Sequence, residues 1–195
     1  MEQLVALIAF SFVSSVTPGP NNVLLWASGA QFGIRATGRH ILGTAAGLGA
    51  MALAVTAGVG VLVTSLPALA VAMKLVGSGY LLYLAYRIVG SHSLERGSLA
   101  RPLGFTRAAM FQVINPKAWI FALGAVTTFR PGGLPVAAGS LLVAAVMMAV
   151  ILPSASLWAV AGDGLGRLVA DDRARRVINV GLATAVAATV GLVWI

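Results

Sequence analysis

Residues 17–21 are Thr-Pro-Gly-Pro-Asn, and residues 114–117 are Ile-Asn-Pro-Lys. Each stretch interrupts a hydrophobic segment that is otherwise long enough to cross a bilayer. A proline in a helix interior removes a hydrogen bond, and in lipid the freed backbone groups persist only where protein or a cavity surrounds them. Pro18 and Pro116 lie 98 positions apart in a chain of 195 residues. Helices broken at matching positions of two halves indicate the central binding site of a transporter.

The composition is that of a membrane protein. Hydrophobic residues make up 59% of the chain and charged residues 9%, with a mean hydropathy of +0.95. Soluble domains carry about 25% charged residues, so a water-soluble globule is excluded. The net charge of +8 lies in short loops, which favours membrane orientation over a nucleic-acid partner. The absence of cysteine removes disulfides, thiolate metal sites and cysteine nucleophiles.

Long uncharged stretches predict six transmembrane helices. They cover about residues 4–29, 41–64, 67–86, 108–129, 136–160 and 177–195, the fifth with an expected kink at Pro153. The first lacks the positive region of a signal peptide and is expected to be retained. Three spans per half force the halves into opposite orientations, so a repeat of about 1–98 and 99–195 must be inverted. The predicted fold is a single all-α integral membrane domain, 1–195, with a 3+3 inverted repeat and broken first and fourth spans.

The basic residues predict the orientation. Ten of the thirteen cations fall in three loops on one side, after span one, between spans three and four, and between spans five and six. The positive-inside rule places these loops in the cytoplasm and both termini outside it, in a multi-pass protein of the bacterial plasma membrane.

The first break has the residues of an anion site. Its prolines remove backbone donors, Gly19 permits unusual dihedrals, and the helix that restarts near Asn21 offers free N–H groups and a positive dipole end. A structural kink with a capping asparagine is the simpler alternative. The predicted substrate-binding residues from both breaks are Pro18, Gly19, Pro20, Asn21, Asn22, Asn115, Pro116 and Lys117.

Lys117 is a lysine in the middle of a predicted span, where a charge costs about 2.5–3.5 kcal/mol on insertion scales. No carboxylate lies inside any predicted span to pair with it. Either a substrate supplies the negative charge, or carbonyls freed at the first break hold the ammonium. The simpler alternative is a lysine that snorkels to the surface from a shifted span.

Other polar residues near the spans carry weaker signals. Asp163 adjoins the fifth span and is a candidate for proton coupling, although a loop residue that caps the helix end is the favoured interpretation. His40 is interpreted as a loop residue, with a proton relay as the alternative. Gly43 and Gly47 predict close helix packing in span two. No grouping of His, Cys and carboxylates predicts a metal site or a cofactor.

Several motifs together resemble the LysE/RhtB superfamily of amino-acid exporters along nearly the whole chain. They are Thr-Pro-Gly-Pro-Asn at 17–21, Gly-Ile-Arg at 33–35, Lys74-x-x-Gly77-x-x-Tyr80-Leu81-x-Tyr83-Leu84, and Phe111-Gln112-x-x-Asn115-Pro116-Lys117-Ala118. Residues 17–22 together with Arg-Pro-Leu at 101–103 are similar to the branch that exports cysteine and O-acetylserine. The resemblance implies a central site at both breaks, export from a bacterial cytoplasm and proton entry as the driving force. It assigns no role to His40.

The sequence therefore predicts a secondary exporter of neutral or small polar amino acids, with an amino-acid substrate, a lipid environment, no cofactor and a possible homodimer. The alternatives are a metal-cation exporter of the same superfamily and an intramembrane enzyme. The chain is not expected to be an enzyme, because no acid and histidine are placed to activate a serine within the membrane.

Overall fold

The computed structural model describes residues 2–60, 65, 67–90, 102–168 and 171–194, and these form helices without a strand. The helices are α1 (Glu2–Val16), α2 (Pro20–Ala54), α3 (Pro67–Gly90), α4 (Phe105–Ile114), α5 (Pro116–Phe129), α6 (Val136–Leu168) and α7 (Asp172–Trp194). A short π-helical turn, Val55–Val59, extends α2. The predicted all-α class is confirmed for this part of the chain.

Both predicted breaks are present, and they differ in length. Residues 17–19 separate α1 from α2, whereas Asn115 alone separates α4 from α5. The axes of α4 and α5 differ by 79°. Pro116 and Lys117 therefore belong to α5, contrary to the prediction that both interrupt the fourth span. Proline fits the first helical turn because the hydrogen bond it cannot donate has no partner there.

The prediction of a loop between spans one and two is wrong. The chain turns at Gly33 (φ 79°, ψ 164°) and continues as helix, so the turn needs a single residue. This backbone conformation is one that side chains disfavour. Thr37 Oγ1 donates to the Gly33 carbonyl at 2.9 Å and lies 2.9 Å from Ser28 Oγ, and both side chains are buried. This pair of buried hydroxyls stabilises the turn.

The fifth span, predicted to end near residue 160, continues as helix to residue 168. α6 runs uninterrupted through Pro153 and through the glycines at 162–166 to Leu168. A Cβ on Gly162 would lie 2.0 Å from the carbonyl oxygen of Trp26, which shows that α6 lies against α2 there. Packing against α2 outweighs the weak helix propensity of glycine. α7 also begins before the predicted residue 177.

The helices pack through small residues. α2 lies against α6 and α4, α1 against α6 and α5, and α3 against α7. A Cβ on Gly29 would lie 2.0 Å from the Ala159 carbonyl oxygen, and one on Gly43 2.2 Å from that of Phe105. The predicted close packing at Gly43 and Gly47 is confirmed, since Gly47 meets the Ala109 carbonyl in the same way. Only glycine permits backbones to approach this closely.

Two described helices are long and apolar enough to cross a membrane, Pro20–Val59 and Val136–Leu165. The bent pair Phe105–Ile114 and Pro116–Phe129 would make a third span. Large apolar side chains such as Val5, Leu75 and Tyr86 point outward, as expected for a surface in lipid. These observations agree with a membrane protein but leave the six-span inverted repeat, like the single-domain assignment, a prediction.

Candidate functional site

Lys117 joins the two breaks. Its Nζ donates to the carbonyl oxygen of Thr17 and, at 3.3 Å, to that of Pro18. These carbonyls lie in the break between α1 and α2, and that of Thr17 also accepts from Asn22 Nδ2. The structure thus has the second arrangement considered from the sequence, in which freed carbonyls hold the ammonium. The snorkelling alternative is wrong, because the side chain points inward.

Gly19 leaves the space that Lys117 fills. A Cβ at this position would lie 2.8 Å from Lys117 Cδ and 3.2 Å from its Nζ. The backbone of Gly19 is extended (φ −174°, ψ 175°), a conformation open to any residue. The expectation of unusual dihedrals is therefore wrong, and glycine serves here by its small size.

Asn21 is the centre of a buried polar cluster formed with His40, Thr44 and Gln112. Its Oδ1 lies 3.3 Å from His40 Nε2, and it accepts from Thr44 Oγ1 and Gln112 Nε2 at 3.1 Å each. All four side chains are buried. One amide oxygen thus connects the start of α2, its later half and α4. Hydrogen bonds among buried side chains of this kind favour one arrangement of the helices.

The other two asparagines of the breaks, Asn22 and Asn115, donate hydrogen bonds to groups at or near the end of the helix before each break. Asn22 Nδ2 donates to the carbonyls of Ser15 (2.7 Å) and Thr17 (2.9 Å), at and after the end of α1, and no side chain caps the start of α2 as the alternative expected. Asn115 Nδ2 donates to Gln112 Oε1 at 3.3 Å, while Asn115 Oδ1 is buried and has no hydrogen-bond partner. An acceptor in that state is costly, and it indicates a group that a ligand or a water satisfies.

A cavity of about 30 Å³ lies between the breaks, lined by Ser14, Ser15, Gly19, Asn21, Asn22, Gln112, Asn115, Lys117 and neighbouring apolar side chains. This space admits a few waters at most, and an amino acid is larger. Two larger clefts lie outside it. One, of about 380 Å³, is lined by Arg39 and Arg107, and the other, of about 310 Å³, by Thr56 and Arg130. The conformation is closed at the breaks.

Asp163 lies in a helix and not in a loop. It lies inside α6, and its carboxylate accepts from Arg167 Nε at 2.8 Å and Arg167 Nη2 at 3.0 Å. It also faces the turn at Gly33, 3.8 Å from the position of a Cβ there. The favoured interpretation as a capping loop residue is wrong. Asp163 does not line the cavity between the breaks, and its part in proton coupling stays a prediction.

Three residues of the site are absent from the predicted substrate-binding residues. His40 is expected in a loop, with a proton relay as the alternative, yet it is fully buried against Asn21. Thr44 and Gln112 carried no prediction of their own. His40 and Thr44 lie four residues apart on one helix face, which was a signal within the sequence. Gln112 lies 91 residues from Asn21, and no local pattern reports such a pair.

Residues 12–194 match the family described as LysE type translocator. This chain belongs to that family. Its members are translocators, so the chain is an integral membrane protein. Curated relatives named cysteine/O-acetylserine efflux protein, from Escherichia coli strain K12, Shigella flexneri and Salmonella typhimurium strain LT2, are each 28% identical over 127 residues. The match covers 65% of this chain and 65% of each relative, just under two thirds of their length. No solved structure matches the chain.

Proposed function

We propose that this chain is a secondary transporter that exports small neutral or polar amino acids, or close derivatives, from the cytoplasm in exchange for protons. The observation that carries the proposal is the contact of Lys117 with the first break, which brings both broken helices to one polar cavity. The family and the names of the relatives support the substrate class. Cysteine and O-acetylserine are accordingly the first substrates to test.

The substrate carboxylate would bind at the two helix N-termini. Neither α2 nor α5 has a side-chain hydrogen bond to cap its start. The first helical bonds are donated by Val23 and Ala118, so the N–H groups of Asn21, Asn22 and Lys117 have no partner within their helices. Such groups, with the helix dipoles behind them, favour an anion.

The substrate ammonium would take the place that Lys117 now occupies. The Thr17 and Pro18 carbonyls already hold an ammonium group, that of Lys117. A bound amino acid would displace it and leave Lys117 free to pair with the substrate carboxylate. Lys117 would thus satisfy the carbonyls while the site is empty and hold the substrate when it is filled. A buried polar group needs such a partner in both states.

The helix contacts support a six-span inverted repeat. In a repeat, α1 and the start of α2 correspond to α4 and α5, the later part of α2 to α6, and α3 to α7. The contact of α1 with α6 then matches that of α4 with α2, and α3 meets its own counterpart α7. Inverted repeats of this kind permit alternating access around a site near the membrane centre.

The Arg39 cleft, the central cavity and the Thr56 cleft follow one another in the same order along two neighbouring stretches of helix. Along α2 and the turn after it, the linings run from Arg39 through Leu48 to Thr56, and from α4 into α5 they run from Arg107 through Asn115 to Thr127. The central cavity therefore lies between a cleft on each side. We propose that these clefts are the two entrances, of which the Arg39 cleft is cytoplasmic by the positive-inside rule.

The test is exchange transport by the purified protein in liposomes. Vesicles loaded with one unlabelled amino acid should take up the same labelled amino acid from outside. The panel should contain cysteine, O-acetylserine, serine, lysine, glutamate and Zn²⁺. The proposal predicts exchange of the small neutral members. Exchange of Zn²⁺ alone, or of none, by a well-folded protein would contradict it.

A further inference from the structure

The cluster of Asn21, His40, Thr44 and Gln112 lies beside the central cavity, and the cleft at Arg39 is the next space along α2. Arg39 and Arg107 line that cleft, while Asn21 and Gln112 line the cavity. His40 follows Arg39 directly and is 0% exposed. The cluster is therefore a buried polar layer in direct contact with the central cavity through Asn21 and Gln112.

His40 is the only ionisable side chain among the fully buried residues of the described part of the chain. Asn21 Oδ1 is an acceptor only, so the 3.3 Å contact requires a proton on His40 Nε2. In the neutral ring the lone pair then lies on Nδ1, which is buried and has no hydrogen-bond partner. A buried basic nitrogen without a hydrogen-bond partner costs its desolvation free energy, so its presence calls for an explanation.

We propose that His40 is the proton-carrying residue of the exporter, an assignment that rests on the proposed function. Nδ1 takes a proton from water on the extracytoplasmic side, which forms an imidazolium with two N–H donors. It returns the same proton to water on the cytoplasmic side, and the neutral ring with Nε2–H is restored. Histidine suits this step because a water-exposed imidazole gains and loses a proton near neutral pH, so the ring can be charged when the cluster opens to water.

Protonation of His40 changes the hydrogen bonds of both breaks. The imidazolium needs a second acceptor, and the present conformation provides none at Nδ1, so protonation favours a different arrangement of the cluster. A charged donor also binds Asn21 Oδ1 more strongly than Gln112 Nε2 does. Gln112 in turn accepts from Asn115 at the second break. The proton and the substrate thereby compete for one connected network.

Other charged groups on the surrounding helices leave His40 without a competing partner. Arg39 on its own helix and Arg107 on α4 line the cleft, Lys117 on α5 is bound to the first break, and Asp163 on α6 is paired with Arg167. Glu2 on α1 is exposed. Among the described residues none of these groups is hydrogen-bonded to His40. No ion pair with a described residue therefore fixes the protonation state of His40.

His40→Gln tests the assignment, because the glutamine amide can keep the donor to Asn21 while it cannot carry a proton. Two quantities are measured in liposomes with an amino acid that the wild type exchanges. One is exchange without a gradient, and the other is accumulation driven by an acid lumen, with a dye that reports lumenal pH. A gradient of one pH unit supports roughly tenfold accumulation for one proton per substrate. His92→Gln is the matched control, and Asp163→Asn tests the other candidate for coupling.

We expect His40→Gln to exchange substrate but to lose accumulation and substrate-dependent proton movement, while the control His92→Gln and the competing candidate Asp163→Asn keep them. Accumulation by His40→Gln at the wild-type level would overturn the assignment. So would loss of exchange in both His40→Gln and His40→Asn when both proteins are folded, because His40 would then be a structural residue. A wild type that exchanges amino acids without moving protons would also overturn it and leave export intact. A wild type that exchanges no amino acid would refute the proposed function itself.

Discussion

Lys117 bonds to backbone carbonyls where a carboxylate would be the usual partner. A carbonyl dipole stabilises an ammonium less than a full negative charge does, so the side chain can leave Thr17 and Pro18 at modest cost. A permanent ion pair would be harder to separate inside a membrane. The residue is therefore suited to exchange partners when a substrate arrives.

Lys117→Met should weaken substrate binding while the protein remains folded. The substitution keeps an apolar stem and removes a buried charge, and Thr17 keeps its bond from Asn22 Nδ2 at 2.9 Å. A charge-assisted hydrogen bond is worth about 1.5–3 kcal/mol, so affinity should fall roughly ten- to a hundredfold. The concentration dependence of exchange measures the effect, with a melting curve recorded alongside.

Lys74→Met is the matched control for Lys117→Met. Lys74 lies over the Trp194 ring at 5.7 Å and has no contact with either break, so its loss should leave the affinity unchanged. An equal loss of substrate affinity in both variants would mean that the overall positive charge of the protein, and not the position of Lys117, supports binding. Wild-type affinity in Lys117→Met would remove Lys117 from the site.

At the scale of the elements, α2 and α6 position the first break. Gly29 and Gly162 bring the two backbones together, and the turn at Gly33 directs the later half of α2 back past Asn21. His40 and Thr44 reach Asn21 for this reason. The site depends on close helix packing as much as on its polar residues.

Gly29→Ala should destabilise the protein. Its methyl group would lie 2.0 Å from the Ala159 carbonyl oxygen, so one backbone must move. Overpacking of a tight core costs about 1–3 kcal/mol, and a melting temperature lower by several degrees is expected. Gly38→Ala on the same helix is the control, since nothing lies within 4 Å of its Cβ. An unchanged melting temperature for Gly29→Ala would show that α2 and α6 are farther apart.

The sequence predicted the positions of the breaks because proline chemistry is local. Pro18, Pro116 and Lys117 were identifiable from their residue types in apolar surroundings alone. The turn at Gly33 was missed because one glycine can reverse a helix without any polar loop to announce it. The contact of His40 with Asn21 was not predictable, because the two residues meet only after the chain turns at Gly33. Contacts between distant residues depend on packing, which hydrophobic periodicity does not report.

At the scale of the whole molecule, two broken helices face each other across a closed cavity. Ten of the thirteen cations lie in regions predicted to be cytoplasmic, which orients the Arg39 cleft inward and both termini outward. Two of these regions differ from simple loops, since Arg35 and Arg39 lie in α2 and Arg167 lies in α6. The orientation itself stays a prediction. The account as a whole depends on one claim, that both breaks line a single substrate site.

The direct test of that claim is labelling of single cysteines, which the natural chain lacks. Asn21→Cys and Asn115→Cys should each react with a small polar thiol reagent, and an amino acid that the wild type exchanges should slow both reactions. Gly132→Cys, in the turn after α5, should react at the same rate with and without the amino acid. Protection of both break positions at the same substrate concentration is the predicted result. The opposite result is a variant that still transports and is labelled at the same rate with and without substrate. That result at either Asn21→Cys or Asn115→Cys would contradict a shared site.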